Sequence, residues 1–576
     1  MALLVDGIII VVYFLAITAI GLYMGRREES LKDFALGGRS VPWWAVMASI
    51  IAAETSAATF LGAPGEGYDK RSLAYVQLVF GLIIGRFIVG NVFLKPYYLY
   101  KVYTVYDYLG IRFGPKSRGY VSALFLVMRT LASGTRLFVP SLVMVLAWGM
   151  FAGGQVQFSQ QAVTSVEPYL VAIVALTIAT CLYTAMGGIK AVIWTDVVQA
   201  CLMFGSAILA VVTLLNHVGG FDAVAKAVPA MTRPEGYFLT GFEADRIAKW
   251  QTDHHLAGMS FWDYVKLILA SDYTIFSALI GTTLGNMAAF GTDQDMVQRM
   301  LTAETYKKAR RSLLTAAFVD LPIAAVFTFI GILLFVYYQQ DPTFKPAANS
   351  DVFGSYILNV MPIGVRGLVL AGVFATAMGS LSAALNALAT SATNDWYMPL
   401  VRGKSEHHYV SAAKWFTVLF AFLMILIAGA FAFAKVHDPG VRIIPVVLGI
   451  AGFILGPMLG VFLIGMLTKS RGSDLGNIIA VTVGLFTTIV MGELHVTVAN
   501  MVAPLFGMQA NFAAPAWLPK VSFTWFAMIG AVVVFAVGVL FRTPTHQLEQ
   551  AKRRELEAQE GEDKPMSLRS EGEAPP

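Results

Sequence analysis

Residues 52–65 of this chain read AAETSAATFLGAPG and lie inside an apolar stretch that begins near residue 42. Small and polar residues, followed by Gly62-Ala63-Pro64-Gly65, make the stretch a poor continuous helix. Broken membrane helices expose backbone carbonyls and half-helix ends to a cavity, where they coordinate ions and solutes in many transporters. The stretch therefore predicts a membrane transporter built around an interrupted helix. The alternative is a merely kinked span in which Glu54 is paired with a neighbouring cation.

The composition around this stretch is that of a membrane protein. The chain has 576 residues, of which 57% are hydrophobic and 13% are charged, whereas soluble proteins carry about 25% charged residues. A helix needs about 20 apolar residues to cross the hydrocarbon core of a bilayer. We therefore predict an all-α, polytopic membrane domain over residues 1–541, with thirteen spans near 4–25, 42–64, 73–98, 119–150, 167–186, 190–215, 273–298, 311–338, 364–394, 409–434, 442–468, 474–495 and 521–541.

Basic residues are concentrated in alternate connections between these spans, and such connections are normally cytoplasmic. We therefore expect a protein of the inner (plasma) membrane with its amino terminus outside. Residues 542–576 are charged and poor in aromatics, so we expect a disordered cytoplasmic tail. The basic clusters are Arg26, Arg27 and Lys32; Lys101, Arg112, Lys116 and Arg118; Lys307, Lys308, Arg310 and Arg311; Arg402 and Lys404; and Lys469 and Arg471.

Charged side chains near the bilayer centre are costly, so each needs a partner, a cavity or a function. Arg129 and Arg136 share one face of the fourth span, and an arginine fork suits a carboxylate ligand. The two arginines therefore indicate either an anionic solute or ion pairs with Glu54 or Asp320. The residues of this kind are Glu54, Arg129, Arg136, Asp196 and Asp320.

The ninth span carries hydroxyl and amide groups at helical spacing. Thr376 and Ser380 lie on one helix face, and Ser382 and Asn386 form a second pair beside it. Oxygen ligands of this kind suit a hard cation, although Ser and Thr also make ordinary hydrogen bonds between membrane helices. The span therefore allows two interpretations, a cation site or helix packing.

Enzyme chemistry is not indicated by any motif. The triplet Gly403-Lys404-Ser405 lacks the upstream glycine of a phosphate-binding loop, because Met398 stands at that position. We expect a transporter whose partners are a small solute, sodium and the lipid bilayer, with no nucleic acid.

Several segments together resemble the sodium/solute symporter family, in matching order across about residues 5–470. The resemblance implies a LeuT-type core of ten helices in two inverted repeats, at about 42–215 and 273–468, with about three further spans. The segments are Phe34 to Trp44, Ala52 to Tyr68, Gly187 to Asp196, Thr292 to Arg299 and the serines of the ninth span.

The resemblance also implies a sodium site between the second and ninth spans. Its ligands would be the backbone oxygens of Ala52, Thr55 and Thr376 and the side chain of Ser380, whereas Gly379 lacks the hydroxyl usual in the family. Some members bind a second sodium ion near the positions of Asp196 and Ser382, but Ala383 departs from that pattern. We therefore expect one sodium ion, with Asp196 acting as a relay or lying on the exit path.

For the solute, the resemblance points to the second, third, fourth, seventh and eighth spans. Thr59 replaces the glutamine of the sugar carriers and Asp320 falls where they carry a lysine, so a hexose is not favoured. We expect sodium-coupled import, by alternating access, of a small polar solute such as a sugar acid or monocarboxylate. The alternatives are a proton-coupled carrier in which Glu54 titrates and a membrane sensor that does not transport. The predicted solute residues are Glu54, Ser56, Thr59, Gln77, Arg129, Arg136, Asn286 and Asp320.

Overall fold

The computed structural model describes residues 2–563 apart from 26–29, 72–73, 152–164, 232–239, 347, 438–442, 504–507, 509–511 and 516. Within these ranges the chain is helical and contains no named strand. Three π-helical segments, Val89–Phe93, Ser277–Thr282 and Ala392–Tyr397, interrupt longer helices. The helices are α1 Ala2–Met24, α2 Leu31–Leu36, α3 Trp43–Glu54, α4 Ala57–Lys70, α5 Leu78–Ile88, α6 Leu94–Leu99, α7 Val105–Arg112, α8 Pro115–Arg136, α9 Phe138–Phe151, α10 Glu167–Val218, α11 Phe221–Met231, α12 Ala244–Asp253, α13 Phe261–Ala270, α14 Thr283–Gly291, α15 Gln294–Leu301, α16 Tyr306–Gln340, α17 Val352–Asn359, α18 Val365–Ser391, α19 Met398–Leu400, α20 Glu406–His437, α21 Ile443–Leu467, α22 Asp474–Met491, α23 Leu494–Val502, α24 Phe526–Gly538 and α25 Thr545–Asp563.

Eight helical stretches of the described chain are long and apolar enough to cross a bilayer, or nine if one bent pair is counted as a span. The bent pair is α3 with α4, which meet at 68°. α3 ends at Glu54, Thr55 and Ser56 are extended, and the Ser56 side chain caps α4 by accepting a hydrogen bond from the Thr59 N–H at 3.2 Å. The interrupted helix predicted from residues 52–65 is therefore present.

The fifth and sixth predicted spans form one continuous helical run, α10, of 52 residues. A straight helix of that length would extend about 78 Å, more than twice the hydrocarbon thickness. Gly188 is not helical, with φ 47° and ψ −150°, and it divides α10 between residues 186 and 190, where the sequence predicts the boundary. A residue with a side chain rarely adopts that φ, so a glycine is needed here.

The helix at the centre of the molecule is α18. In the most apolar 18-residue segment of the stretch that it begins, 89% is buried. It packs against α1, α8, α10 and α20, and α3 and α4 also contact it. Apolar side chains are exposed mainly on peripheral helices such as α1 and α20, as expected for a surface that faces lipid. The interrupted helix is thus held against the most buried helix of the protein.

Most connections predicted to be cytoplasmic meet at one end of the molecule. The other end holds the start of α1, where the buried Asp6 accepts hydrogen bonds from the Gly364 and Gly367 N–H groups at 2.7 and 3.0 Å. The connections that carry these basic residues are therefore neighbours in the fold. The contacts at the basic end are Tyr98 Oη to Ala303 O, Arg112 to Lys469 O, Arg118 to Asp395 and the bridge between Arg471 and Arg542.

The expected disorder of the tail is wrong for residues 545–563, which form α25 and contact α6 and α7. Composition predicted disorder because the segment has little apolar surface to bury. Its Glu, Gln, Lys, Arg and Ala residues are nevertheless good helix formers, and Arg553 pairs with Glu557 one turn later at 3.0 Å. Residues 564–576 lie outside the described part of the chain.

Candidate functional site

A cavity of about 310 Å³ opens beside the interrupted helix, and it brings together four of the predicted solute residues. Glu54, Thr59, Asn286 and Asp320 all line it, and Thr55, a predicted sodium ligand, lines it as well. The rest of the wall is mostly apolar, which is typical of a small-molecule site with a few convergent polar groups. The other lining residues are Ala63, Tyr75, Leu78, Val79, Leu82, Thr282, Phe290, Ile323, Ala324 and Phe327.

Two carboxylates of this cavity share one arginine that the sequence analysis missed. Arg86 on α5 pairs with Glu54 and, at 2.9 Å, with Asp320. Its side chain is fully buried and its guanidinium carbon lies 4.0 Å from the centre of the Phe290 ring. By formal charge, the two carboxylates exceed the one guanidinium of this cluster by one. A lone arginine within the apolar stretch 78–94 was the signal that could have predicted it.

Arg129 is engaged elsewhere, so its predicted pairing with Glu54 or Asp320 is wrong. It pairs with Asp295 and, at 3.4 Å, with Asp293. Both carboxylates are buried at the start of α15, which packs between α3 and α18. Arg129 is also absent from the described lining of the large cavity. The Asp-Gln-Asp segment that carries these partners was recognised only as part of a family pattern.

Arg136 lies two turns further along α8 and lines a second cavity of only about 10 Å³, against about 310 Å³ for the large one. Ser56 and Ala57, at the start of α4, line the same cavity, as do Ser133 and Ser380. In the described part of the chain Arg136 has no ion-pair partner. The structure therefore separates the two arginines that the sequence could not tell apart. The remaining lining residues are Leu137, Pro140, Ala377 and Leu381.

Gln77, another predicted solute residue, is fully buried at the start of α5. Its Nε2 donates to the Tyr273 carbonyl at 2.9 Å, which connects the start of α5 to the start of the seventh predicted span. Gln77 is not among the described residues that line either cavity. Its placement here is that of a contact between two spans.

The predicted sodium residues lie where the end of α3 meets α18. A Cβ placed on Gly379 would lie 3.6 Å from the Ala52 carbonyl oxygen, so the two backbones are close neighbours. The ninth-span hydroxyls bond their own helix: Thr376 Oγ1 donates to Val373 O at 2.8 Å and Ser380 Oγ to Ala377 O at 3.0 Å. Thr376 and Ala52 are both almost fully buried.

The residues predicted for a second sodium ion or its exit path are also near Gly379. Ser382 Oγ donates to the Gly379 carbonyl at 3.1 Å. One carboxylate oxygen of Asp196, Oδ2, accepts from Ser49 Oγ at 2.6 Å and lies 3.4 Å from the guanidinium of Arg299. Asp196 is fully buried, so this pairing offsets much of the cost of removing its charge from water.

Comparison with known proteins connects this architecture to sodium-driven transport. The sodium/sialic acid symporter SiaT of Proteus mirabilis (strain HI4320) is 28% identical over 522 residues, which are 86% of this chain and 94% of that protein. Sodium-coupled monocarboxylate transporter 1 of Xenopus laevis is 25% identical over 593 residues, 96% of this chain and 87% of that protein.

A solved structure shows the same fold. It is a Na⁺-coupled sialic acid symporter in a substrate-bound, outward-open state with a novel Na⁺ site. It is 25% identical to this chain, with a TM-score of 0.71 over 93% of this chain and 97% of its own. The fold is therefore the all-α, LeuT-type membrane fold that the resemblance implied.

The family model for the sodium:solute symporter family matches residues 34–484. This range includes the interrupted helix, both cavities and the Gly379 region. The relatives are sodium-coupled carriers and not enzymes. Sodium is accordingly the coupling ion of a multi-pass membrane transporter, and the chain belongs to the sodium:solute symporter family.

Proposed function

We propose that this symporter imports a small organic anion, most specifically a sugar acid, together with sodium by alternating access. The observation that carries the proposal is the guanidinium of Arg136, which has no ion-pair partner in the described structure and faces a cavity beside the start of α4. The start of a half-helix presents unbonded N–H groups and a partial positive charge, which favour an anion. A carboxylate placed there would meet both the N–H groups and the arginine fork.

The large cavity on the other side of residues 54–59 suits the remainder of such a solute. Its polar groups are the carboxylates of Glu54 and Asp320, the hydroxyl of Thr59 and the amide of Asn286. These groups can accept hydrogen bonds from the hydroxyls of the solute or donate hydrogen bonds to them, while the apolar wall excludes water from the complex. The solute names of the relatives, sialic acid and monocarboxylate, share a carboxylate group.

The family replaces the alternative of a proton-coupled carrier in which Glu54 titrates with sodium coupling. Uptake at fixed pH is accordingly expected with sodium outside and not with potassium. A sensor that does not transport predicts solute binding without counterflow in vesicles.

Replacing Arg136 with glutamine is expected to weaken binding of the anionic solute by about 10–100-fold, because a charge-assisted hydrogen bond contributes about 1.5–3 kcal/mol. The measurement is thermal stabilisation of the purified chain, in sodium, by N-acetylneuraminate, glucuronate, gluconate and lactate, with glucose as a neutral comparison. The solute that stabilises the protein is then titrated into Arg136→Gln, into Arg136→Lys and, as a control, into the exposed variant Arg402→Gln.

Arg136→Lys should retain part of the affinity, because a lysine keeps the charge and loses the fork. Arg402→Gln should bind as the unmodified chain does. Equal titrations for Arg136→Gln and the unmodified chain would remove Arg136 from the site. Stabilisation by glucose but by none of the acids would reject the anion proposal.

We further propose that the basic end of the molecule is cytoplasmic. Lys308 at the start of α16 is exposed and pairs only with the neighbouring Glu304 among the described residues, so a cysteine there should fold normally. In a background without Cys181 and Cys201, Lys308→Cys is expected to resist an impermeant maleimide in intact cells and to react after permeabilisation. Rapid labelling in intact cells would reverse the proposed orientation.

A further inference from the structure

The large cavity presents negative charge to whatever enters it. Glu54 and Asp320 are the charged residues among its described lining residues. Their partner Arg86 lies behind this wall, because its side chain is 0% exposed, against 20% for Glu54 and 8% for Asp320. A solute in the cavity therefore meets two carboxylates, while the guanidinium that pairs with them is covered.

One carboxylate oxygen of this wall has no hydrogen bond. Arg86 Nη2 donates to Glu54, but the buried Asp320 Oδ2 has no hydrogen-bond donor in the described chain, although Arg86 Nη1 lies 2.9 Å away. Asp320 is only 6% exposed, so water does not readily replace the missing donor. Because the terminal torsion of a carboxylate is broad, a donor in the cavity can hydrogen-bond to this group.

The carboxylate excess of this cluster is not balanced by a second cation in the described structure. The charged groups that act on Asp320 are Glu54 and Arg86. The two arginines of α8 act instead on Asp293, at the start of α15. A buried charge without a counter-charge is costly, so a positively charged group in the cavity would be stabilised there.

The remaining wall and the volume of the cavity suit an organic cation. A volume of about 310 Å³ is far more than a monovalent ion fills, and it lies within the range of small-molecule sites. Tyr75, Phe290 and Phe327 supply aromatic surface, and aromatic faces attract cationic groups. Phe290 already packs in this way against the Arg86 guanidinium, at 4.0 Å from its ring centre.

The helix break adds the same polarity. α3 ends at Glu54 and its C-cap residue, Thr55, lines the large cavity, so the last carbonyl groups of this half-helix place partial negative charge there. α4 begins at Ala57, which lines the small cavity of Arg136 and places partial positive charge on that side. The two cavities therefore favour opposite charges.

We propose that the solute carries a protonated amino group, which binds in the large cavity between Glu54 and Asp320. The inference rests on the proposed function, in which the carboxylate of the solute binds at Arg136, and it narrows the solute to an amino-substituted sugar acid. An ammonium group has three N–H donors and no acceptor, so it can donate to both carboxylates and offset their charge. The hydroxyl of Thr59 and the amide of Asn286 remain for the hydroxyl groups of the solute.

Four six-carbon probes test the inference by presenting each combination of the two groups. Glucose has neither group, gluconate has the carboxylate, glucosamine has the amino group and 2-amino-2-deoxygluconate has both. Each is titrated into the purified full-length protein at one saturating sodium concentration and at about pH 6.5, below the usual pKa of an amino group, and the rise in apparent Tm gives its affinity. We expect 2-amino-2-deoxygluconate to bind at least about tenfold more tightly than gluconate, which corresponds to about 1.4 kcal/mol.

Substitutions then locate the amino-group site. Glu54→Gln and Asp320→Asn each remove one charge and leave Arg86 a carboxylate partner, so both should fold, still bind gluconate and lose the preference for the amino acid probe. Glu304→Gln removes an exposed carboxylate that pairs with Lys308 and should keep the preference. The preference is a ratio at one sodium concentration, so a change in sodium affinity alters both probes alike and cancels.

The outcomes separate this inference from the proposed function. Equal affinity of the unmodified chain for 2-amino-2-deoxygluconate and gluconate would overturn the amino-group site and leave the sugar acid proposal standing, whether or not the variants fold. Binding of glucosamine and of neither acid, with loss of that binding in Glu54→Gln, would reject the carboxylate site and keep the amino-group site. A preference that persists in both variants would place the amino group elsewhere, and binding of none of the four probes would count against both proposals.

Discussion

Replacing Arg86 with glutamine is expected to abolish uptake and to lower the apparent Tm more than any other single change in the large cavity. Arg86 is fully buried and is the shared partner of Glu54 and Asp320. Removing one partner from a buried ion pair typically costs about 3–5 kcal/mol, because the remaining charge is left uncompensated. Arg86→Gln would leave both Glu54 and Asp320 without a partner, so we expect a loss of stability of at least about 3 kcal/mol.

The accompanying variants separate charge from packing. Adding Glu54→Gln to Arg86→Gln removes one of the unpaired carboxylates, so the double variant should have a higher Tm than Arg86→Gln. Arg86→Lys should have a Tm below that of the double variant, because a lysine cannot pair with both carboxylates as the arginine fork does. Lys95→Gln on the exposed face of α6 is the matched control and should change neither quantity. An Arg86→Gln variant with normal Tm and normal uptake would contradict the assigned ion pairs.

Arg129→Gln is expected to have an effect of similar size at the start of α15. The change leaves Asp293 and Asp295, both 2% exposed, without their shared arginine. Asp293 also caps α15 by accepting a hydrogen bond from the Asp295 N–H at 3.1 Å. Without Arg129, the Asp293 carboxylate is no longer held in place, so the first turn of α15 should be less stable. We expect a lower yield of folded protein, a lower Tm and no uptake.

Asp295 is the second residue to substitute, because it pairs with Arg129 and does not itself cap α15. Asp295→Asn in the Arg129→Gln background should raise the Tm above that of Arg129→Gln alone, and a double-mutant cycle gives the coupling between the two residues. Lys116→Gln, exposed at the start of the same α8, serves as control. Strictly additive losses would mean that the two residues are not coupled.

Much of the fold follows from the sequence because hydrophobic length and glycine position determine it. Each of the thirteen predicted spans overlaps a helix of the structure, and the fifth and sixth share α10. The boundary between the fifth and sixth spans falls at Gly188, as predicted. The break in the second span falls at Thr55 and Ser56, within the predicted stretch 52–65, whereas the segment 62–65, which was also expected to interrupt the helix, lies inside α4. The helix α25 was missed because composition measures burial and not local helix propensity.

The candidate site was less predictable because its arrangement depends on which charges meet across helices. Spacing placed Arg129 and Arg136 on one face of α8, but only the structure shows that α15 engages Arg129 and leaves Arg136 facing a cavity. Arg86 was missed although it stands alone in an apolar stretch. The role of Gly379 was predicted only as a missing ligand, whereas the structure places Gln199 Oε1, from 180 positions earlier in the chain, 2.8 Å from where a Cβ on residue 379 would lie.

The break between α3 and α4 borders all the spaces described above. Ala52 faces Gly379, Glu54 and Thr59 line the large cavity, and Ser56 lines the cavity of Arg136. A change in the angle between these two half-helices therefore alters every one of these spaces at once. Energetic linkage between ion and solute then needs no distant pathway. Because such linkage is reciprocal, the factor by which sodium raises affinity for the solute must equal the factor by which the solute raises affinity for sodium.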